Sequence, residues 1–154
     1  MELVELLTPE SVISNLHATS KKQALQEISR RAAEITGLNE RTIFDVLLER
    51  ERLGSTGVGG GIAIPHGKLP DLNRLYGLFA RLDRSIEFDS IDERPVDLIF
   101  VLLAPEAAGA DHLKALARVS RLLRDRSVCE KLRGSETPEA LYALLTEPAA
   151  SHAA

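Results

Sequence analysis

VDLIFVLLAP, residues 96–105, is the stretch on which the fold turns. From Leu98 to Leu103 every residue is aliphatic or aromatic, at odd and even positions alike. Alternate residues of a strand face opposite ways, so such a run predicts a strand covered on both faces. It ends at Pro105 and is far too short to cross a bilayer. A strand apolar on both sides needs one layer above it and another below, and helical patterns stand on either side of it in the chain.

Upstream, SKKQALQEISRRAAEITG (residues 20–37) places Ala24, Ile28, Ala32 and Ile35 on one helical face. Ser20 with Gln23 reads as a capping box, and Gly37 is a stop. A second helix is predicted after Asn39, with Ile43, Val46 and Leu47 inward, ending near Gly54. A short β segment at Ile62–Ile64 and a strand at Gly77–Leu82 follow. Beyond the long strand, Leu113, Leu116, Ala117, Ser120 and Leu123 recur at helical spacing from Asp111, and RVSRLLRDR (118–126) places its arginines on the solvated face of that helix. Thr137-Pro138 opens a last helix through Leu145, with proline at its first position. Helices before, between and after buried strands predict one α/β domain over residues 1–148, a mixed sheet flanked by helices on both faces. The tail 149–154 is expected to fray.

At 154 residues, a folded chain buries roughly 68–70% of the surface that its unfolded form exposes. Only 4% of residues are aromatic and none is Trp, so aliphatic side chains must fill the core. Nineteen basic against 23 acidic residues give a net charge of −4, which argues against bulk attraction to nucleic acid or anionic lipid. The single cysteine, Cys129, forms no internal disulfide and supplies no thiolate cluster for a metal. MELVELLTPE carries three glutamates where a signal peptide needs basic residues and an apolar run. A cytoplasmic protein without membrane insertion is expected.

The chemistry concentrates in ERERLGSTGVGGGIAIPHGK, residues 49–68. Its glycines predict a loop whose amides can cradle an anion. The dinucleotide fingerprint fails, because Ile62 stands where its third glycine belongs. A P-loop ending at Gly67-Lys68 fails at Ile62 and Leu69. No nucleophile elbow or H-E-x-x-H exists. His66 remains as the candidate nucleophile, framed by Pro65, which fixes the backbone, and Gly67, which removes bulk beside the ring. If one ring N–H bonds a backbone carbonyl, the other nitrogen's lone pair points outward to attack. His112, in the first turn of the helix after the long strand, can face the same sheet end and donate to an anion. Arg50 and Arg52 flank Glu51 at a helix end, where a guanidinium can clamp a phosphoryl group. Ser55 and Thr56 offer hydroxyl donors or cap the turn. His17 and His152 read as structural or tail residues. On these residues alone, a phosphoryl relay, an anion-sensing binding module and a two-histidine metallohydrolase all stand open.

GSTGVGGGIAIPHGK, with SKKQAL, FDSIDERPVDLIFVLLAP and the His112-Leu113 helix start in the same order, resembles the enzyme IIA domains of the fructose/mannitol class of the bacterial phosphotransferase system, and within it the nitrogen-regulatory branch. The resemblance spans nearly the whole chain and implies the type-2 IIA fold. It implies that Nε2 of His66 accepts a phosphoryl group from the phosphohistidine of an HPr-like carrier, with His112 and Arg50 beside it and Ser55, Thr56 and Gly67 in the matching loop. No cofactor or metal is implied. It further implies signalling by phosphorylation state to partners such as potassium-transport components or sensor kinases. The alternative within the class is a sugar-specific component that passes the phosphate to a IIB domain. Gly60 departs from the family, where a polar residue such as Asn is frequent.

Overall fold

In a computed structural model, which describes residues 2–147, the long apolar run forms the centre of a mixed sheet. In chain order the strands are β1 (Val12–Leu16), β2 (Gly57–Gly59), β3 (Ile62–Ala63), β4 (His66–Leu69), β5 (Tyr76–Ile86) and β6 (Val96–Pro105). The helices are α1 (Lys21–Thr36), α2 (Glu40–Arg52), α3 (Ala110–Arg124), α4 (Arg126–Arg133) and α5 (Pro138–Thr146), with short 3-10 turns at Leu3–Glu5 and Pro9–Ser11. The sheet order is β1-β5-β6-β3-β2, and β4 also pairs with β6.

Strand β6 divides the core as its composition predicts. Ile99, Val101 and Leu103 pack with Leu25 and Ile28 of α1 and with Ile43 and Leu47 of α2. Leu98, Phe100 and Leu102 pack on the opposite side with Ala115 and Val119 of α3, Leu132 of α4 and Leu141 of α5. Phe79 of β5 meets Phe100 edge-on, with ring centroids 6.4 Å apart. Two helical layers over one mixed sheet therefore confirm the expected fold class.

Strands β3 and β4 hold one register along β6: Ile62 lies opposite Leu98, Ala63 opposite Ile99 and His66 opposite Leu102. They are one strand interrupted at Ile64-Pro65. Proline has no N–H to donate to the ladder. Its carbonyl still accepts from the Leu102 amide at 3.0 Å, which carries the register across the break. His66 thus opens a strand segment, one proline beyond the β segment expected at Ile62–Ile64.

The helix starts are where the capping residues predict. The Ser20 hydroxyl accepts from the Gln23 amide, and Thr137 caps α5 through the Ala140 amide. The Gln23 carboxamide reaches back to Thr19 instead of Ser20, accepting from its amide at 2.6 Å and its hydroxyl at 2.9 Å. The α3 stripe is corrected. His112, Ala115, Val119, Leu122 and Leu123 are the buried positions, whereas Leu113 is 68% exposed. A one-residue slip turns a helix by about 100°, so counting aliphatic residues alone rotated the face. His112, with an apolar ring body, takes an inward position in the first turn. Arg126 belongs to the next helix: α3 ends at Arg124, and the Asp125 carboxylate caps α4 by accepting from the Ser127 and Val128 amides. The expected tail 149–154 lies outside the described residues.

Candidate functional site

The last turn of α2 delivers the first component. Ile43, Leu47 and Glu51 recur every four residues on the buried side of this helix, which turns Arg50 toward the start of β4. The Arg50 guanidinium donates from Nη1 to the Gly54 carbonyl at 2.8 Å and from Nε to Nε2 of His66 at 3.3 Å. Glu51 is held in the interior. Its carboxylate accepts from the Thr56 amide at 3.1 and 3.2 Å and from the Thr56 hydroxyl, and it pairs with Lys21 Nζ at 3.1 Å. This buried, multiply bonded carboxylate ties the end of α2 to the loop after it and so fixes the stem from which Arg50 reaches out.

His66 is half-buried, and its Nδ1 lies 2.9 Å from the Ile64 carbonyl. A carbonyl only accepts, so the tautomer is assigned with hydrogen on Nδ1. The donor-only guanidinium facing Nε2 requires a lone pair there, and the two contacts agree. Burial, above all, lowers the His66 pKa below its ordinary value, and the Arg50 charge adds to that; the Ile64 contact opposes both. The ring is therefore neutral at neutral pH, with its free lone pair on Nε2.

The His112 ring stands edge-on to His66, with centroids 5.7 Å apart. It is buried, 6% exposed, and its Nδ1 has no hydrogen-bond partner among the described residues. Burial, followed by the nearby His66 and Lys68 charges, lowers its pKa as well. Together with Lys68, Gly67, Arg50 and Leu53, the two rings line an open cleft of about 540 Å³. At its margin Leu53 is 82% exposed.

Gly67 serves a purpose other than clearing space for the imidazole. A Cβ at this position would lie 2.4 Å from Val46 Cγ1, so the glycine lets α2 approach β4 closely enough to bring Arg50 to His66. Ser55 and Thr56 do not line the cleft. The Ser55 hydroxyl donates to the Phe88 carbonyl at 2.6 Å and accepts from the Gly57 amide, and Thr56 is buried against Glu51. The glycine loop also lies elsewhere. It forms the β2–β3 hairpin, where the Gly60 amide donates to Asp92 Oδ2 at 3.0 Å and the Gly60 carbonyl accepts from Arg133 at 2.7 Å. The expected cradle of glycine amides is absent from the His66 cleft, and side chains of α2, β4 and α3 define that site instead. Gly60 has φ +67°, a conformation that Asn shares with glycine, so the departure from the family residue preserves the turn. Arg52 points away and pairs with Glu49, and exposed His17 pairs with Asp83 at 2.5 Å. His152 lies outside the described residues.

Sequence reasoning gave no role to Glu51 or Lys21 and read Val46 only as an inward helix position. The signal for Glu51 was present, since it extends the Ile43, Leu47 stripe by one more step of four. Lys21 and Val46 matter only through contacts across the fold. Among the described residues, no group of three His, Cys, Asp or Glu side chains is placed to hold a metal ion, and no helix is long and apolar enough to cross a membrane.

A titration tests this geometry. Both histidines should titrate below the ordinary value near 6.5 in ring-proton NMR. Because the folded values are lowered, their stabilising contribution is complete above pH 6.5 and is lost as pH falls through the depressed values. The urea midpoint should therefore decline on acidification below about pH 6.5. Titration of both rings at or above 6.5 would contradict the desolvated cleft.

Residues 5–147 match the family described as phosphoenolpyruvate-dependent sugar phosphotransferase system, EIIA 2, and the chain belongs to this family. It is 59% identical to a nitrogen regulatory protein of Bradyrhizobium diazoefficiens over 99% of this chain and 100% of the relative. It is 43% identical to a nitrogen regulatory protein of Klebsiella oxytoca over 100% of this chain and 96% of that one. The fold matches the crystal structure of nitrogen regulatory protein IIA-Ntr from Neisseria meningitidis with a TM-score of 0.88, at 34% identity, covering 92% of this chain and 97% of that one. These relatives support a regulatory IIA protein of the phosphotransferase type.

Proposed function

We propose that this protein is a phosphoryl-relay regulator in which Nε2 of His66 accepts a phosphoryl group from the phosphohistidine of an HPr-like carrier. One observation carries the reading: a neutral, half-exposed imidazole is fixed through Nδ1 by a backbone carbonyl, with an arginine on Nε2 and a second imidazole ring edge-on beside it. The Nε2 lone pair forms the new N–P bond as the donor's N–P bond breaks, and the electron pair returns to the donor ring. The Ile64 carbonyl steadies the positive character that the ring acquires during attack. Arg50 exchanges its contact with Nε2 for a phosphoryl oxygen, and His112 donates to another. Such transfer needs in-line positioning and stabilisation of the equatorial oxygens, with little other covalent work for the protein. The open cleft with Leu53 at its margin suits a donor that arrives on another protein. Phosphorylation state then selects among regulatory partners, for which the resemblance suggests potassium-transport components or sensor kinases in a cytoplasmic setting.

Incubation with a phosphorylated HPr-like carrier should add about 80 Da in an acid-labile, alkali-stable form. The auxiliary groups should show graded effects in the same assay. His112→Ala removes one stabilising donor and should slow transfer by about 10²-fold while leaving a labelled product. Arg50→Lys should also slow it, since a point charge cannot reproduce the forked contact. Unchanged rates in both variants would remove both residues from the site.

A further inference from the structure

A second cleft, of about 890 Å³, lies between the β2–β3 hairpin, the loop at 89–94 and the facing ends of α3 and α4. Among the described residues, none lines both this cleft and the one at His66. Its floor is apolar, with Ile64 and Leu123 among its residues, and Arg94, Arg124 and Arg126 stand around it. Arg133, also in the wall, is committed to Asp97 at 2.9 Å. The other three arginines are exposed, and among the described residues none has a carboxylate within ion-pair distance. Asp92 and Glu130 also line the cleft, so four arginines face two carboxylates there, a local excess of positive charge in a chain of net charge −4.

The rim adds a second feature. Ile91 is 86% exposed and Val58 53% exposed. Ile91 is not held out loosely. The Ile91 amide donates to the Gly57 carbonyl, the Glu93 amide to the Ser90 carbonyl, and Asp92 accepts from the Gly60 and Arg94 amides. Asp89 and Glu93, which bracket the segment, have φ +55° and +62°. Non-glycine residues in this region are uncommon and cost free energy, so the fold maintains a conformation that projects an isoleucine into solvent. Protruding aliphatic side chains are poorly covered by a small ligand but fit the aliphatic side chains of a partner segment. Flanking guanidiniums fit carboxylates in the same segment.

We propose that this face is a docking surface for an acidic, aliphatic-rich segment of a partner protein, with Ile91 as its apolar anchor and Arg94, Arg124 and Arg126 as its carboxylate contacts. Random peptides displayed on phage and panned on the immobilised protein should yield sequences that interleave Asp or Glu with Leu, Ile or Val. Titration of a recovered peptide into 15N-labelled protein should shift the amides of Val58, Ile91 and Arg126. Ile91→Ser and the double variant Arg124→Glu/Arg126→Glu should each weaken binding at least about tenfold. These side chains are exposed and make no ion pair among the described residues, and thermal melts should show both variants folded. His66→Ala protein should bind the peptide as the parent does, so this result stands apart from the fate of the relay reading. Recovery of no peptide, recovery of peptides lacking the acidic-aliphatic pattern, or binding indifferent to both variants overturns the proposal. So does competition by ATP or heparin at concentrations equal to the peptide's, which would mark the face as a general polyanion site.

Discussion

His66→Ala should abolish phosphoryl labelling, with the rate falling by at least about 10³-fold, because the substitution removes the attacking atom and not a stabilising contact. The geometry argues against rescue by the neighbouring ring. His112 is only 6% exposed, so a phosphohistidine borne on another protein cannot align with it for in-line attack. His17 is exposed, but its Nδ1 is engaged by Asp83 and it lies outside the cleft. The substitution should leave the fold in place. The β4–β6 ladder is made by main-chain atoms, and the imidazole itself bonds only the Ile64 carbonyl and the Arg50 guanidinium. Intact mass after incubation with the carrier, together with a thermal melt, separates loss of the acceptor from loss of structure. A folded His66→Ala protein labelled as fully as the parent would place the acceptor elsewhere and remove the relay reading.

What was legible in the sequence divides along physical lines. The two-sided apolar run, the capping serine and threonine and the helix-stopping glycine are local signals, and each reports a local rule that the fold obeys. Pro65-His66-Gly67 was also legible as a constrained frame, including the expectation that a carbonyl would hold one ring nitrogen; Ile64 supplies it. Two features were misjudged, each for its own physical reason. The triple glycine reads as an anion cradle only while the occupants of its amides are unknown, and Asp92, more than thirty residues away, takes the Gly60 amide. The inward face of α3 was misplaced because His112 counts as polar in a hydrophobicity pattern yet packs as a ring. The short strand β1 and the continuation of β3 into β4 went unseen. Strands of two to five residues carry little periodicity, and proline in the middle hides the shared register. Sequence shows which residues are chemically capable, whereas the pairing of Arg50 with His66 follows from how closely α2 lies against β4.

That close approach can be tested on its own. Gly67→Ala should destabilise the protein by about 1–3 kcal/mol, the usual range for a methyl forced into a packed contact. The backbone of Gly67 does not require positive φ, so the cost comes from space and not from conformation. The added Cβ would sit 2.4 Å from Val46 Cγ1, and the rest of the local contact is with α2. Rotating χ1 of a valine within a helix is strongly disfavoured, so relief comes from outward movement of the helix. Arg50 is four residues beyond Val46 on the same helix, so it moves too, and its 3.3 Å contact with His66 Nε2 opens. The variant should thus lose phosphoryl-transfer rate as well as stability. Removing the other half of the clash reverses both effects. Val46→Ala deletes Cγ1, and Gly67→Ala/Val46→Ala should be more stable than Gly67→Ala alone, with a favourable coupling of about 1 kcal/mol or more between the two sites. The transfer rate should recover alongside the urea midpoint. A double variant no more stable than Gly67→Ala would show that the α2–β4 distance is not set by this contact. Recovery of stability without recovery of rate would detach Arg50's position from its contribution to transfer.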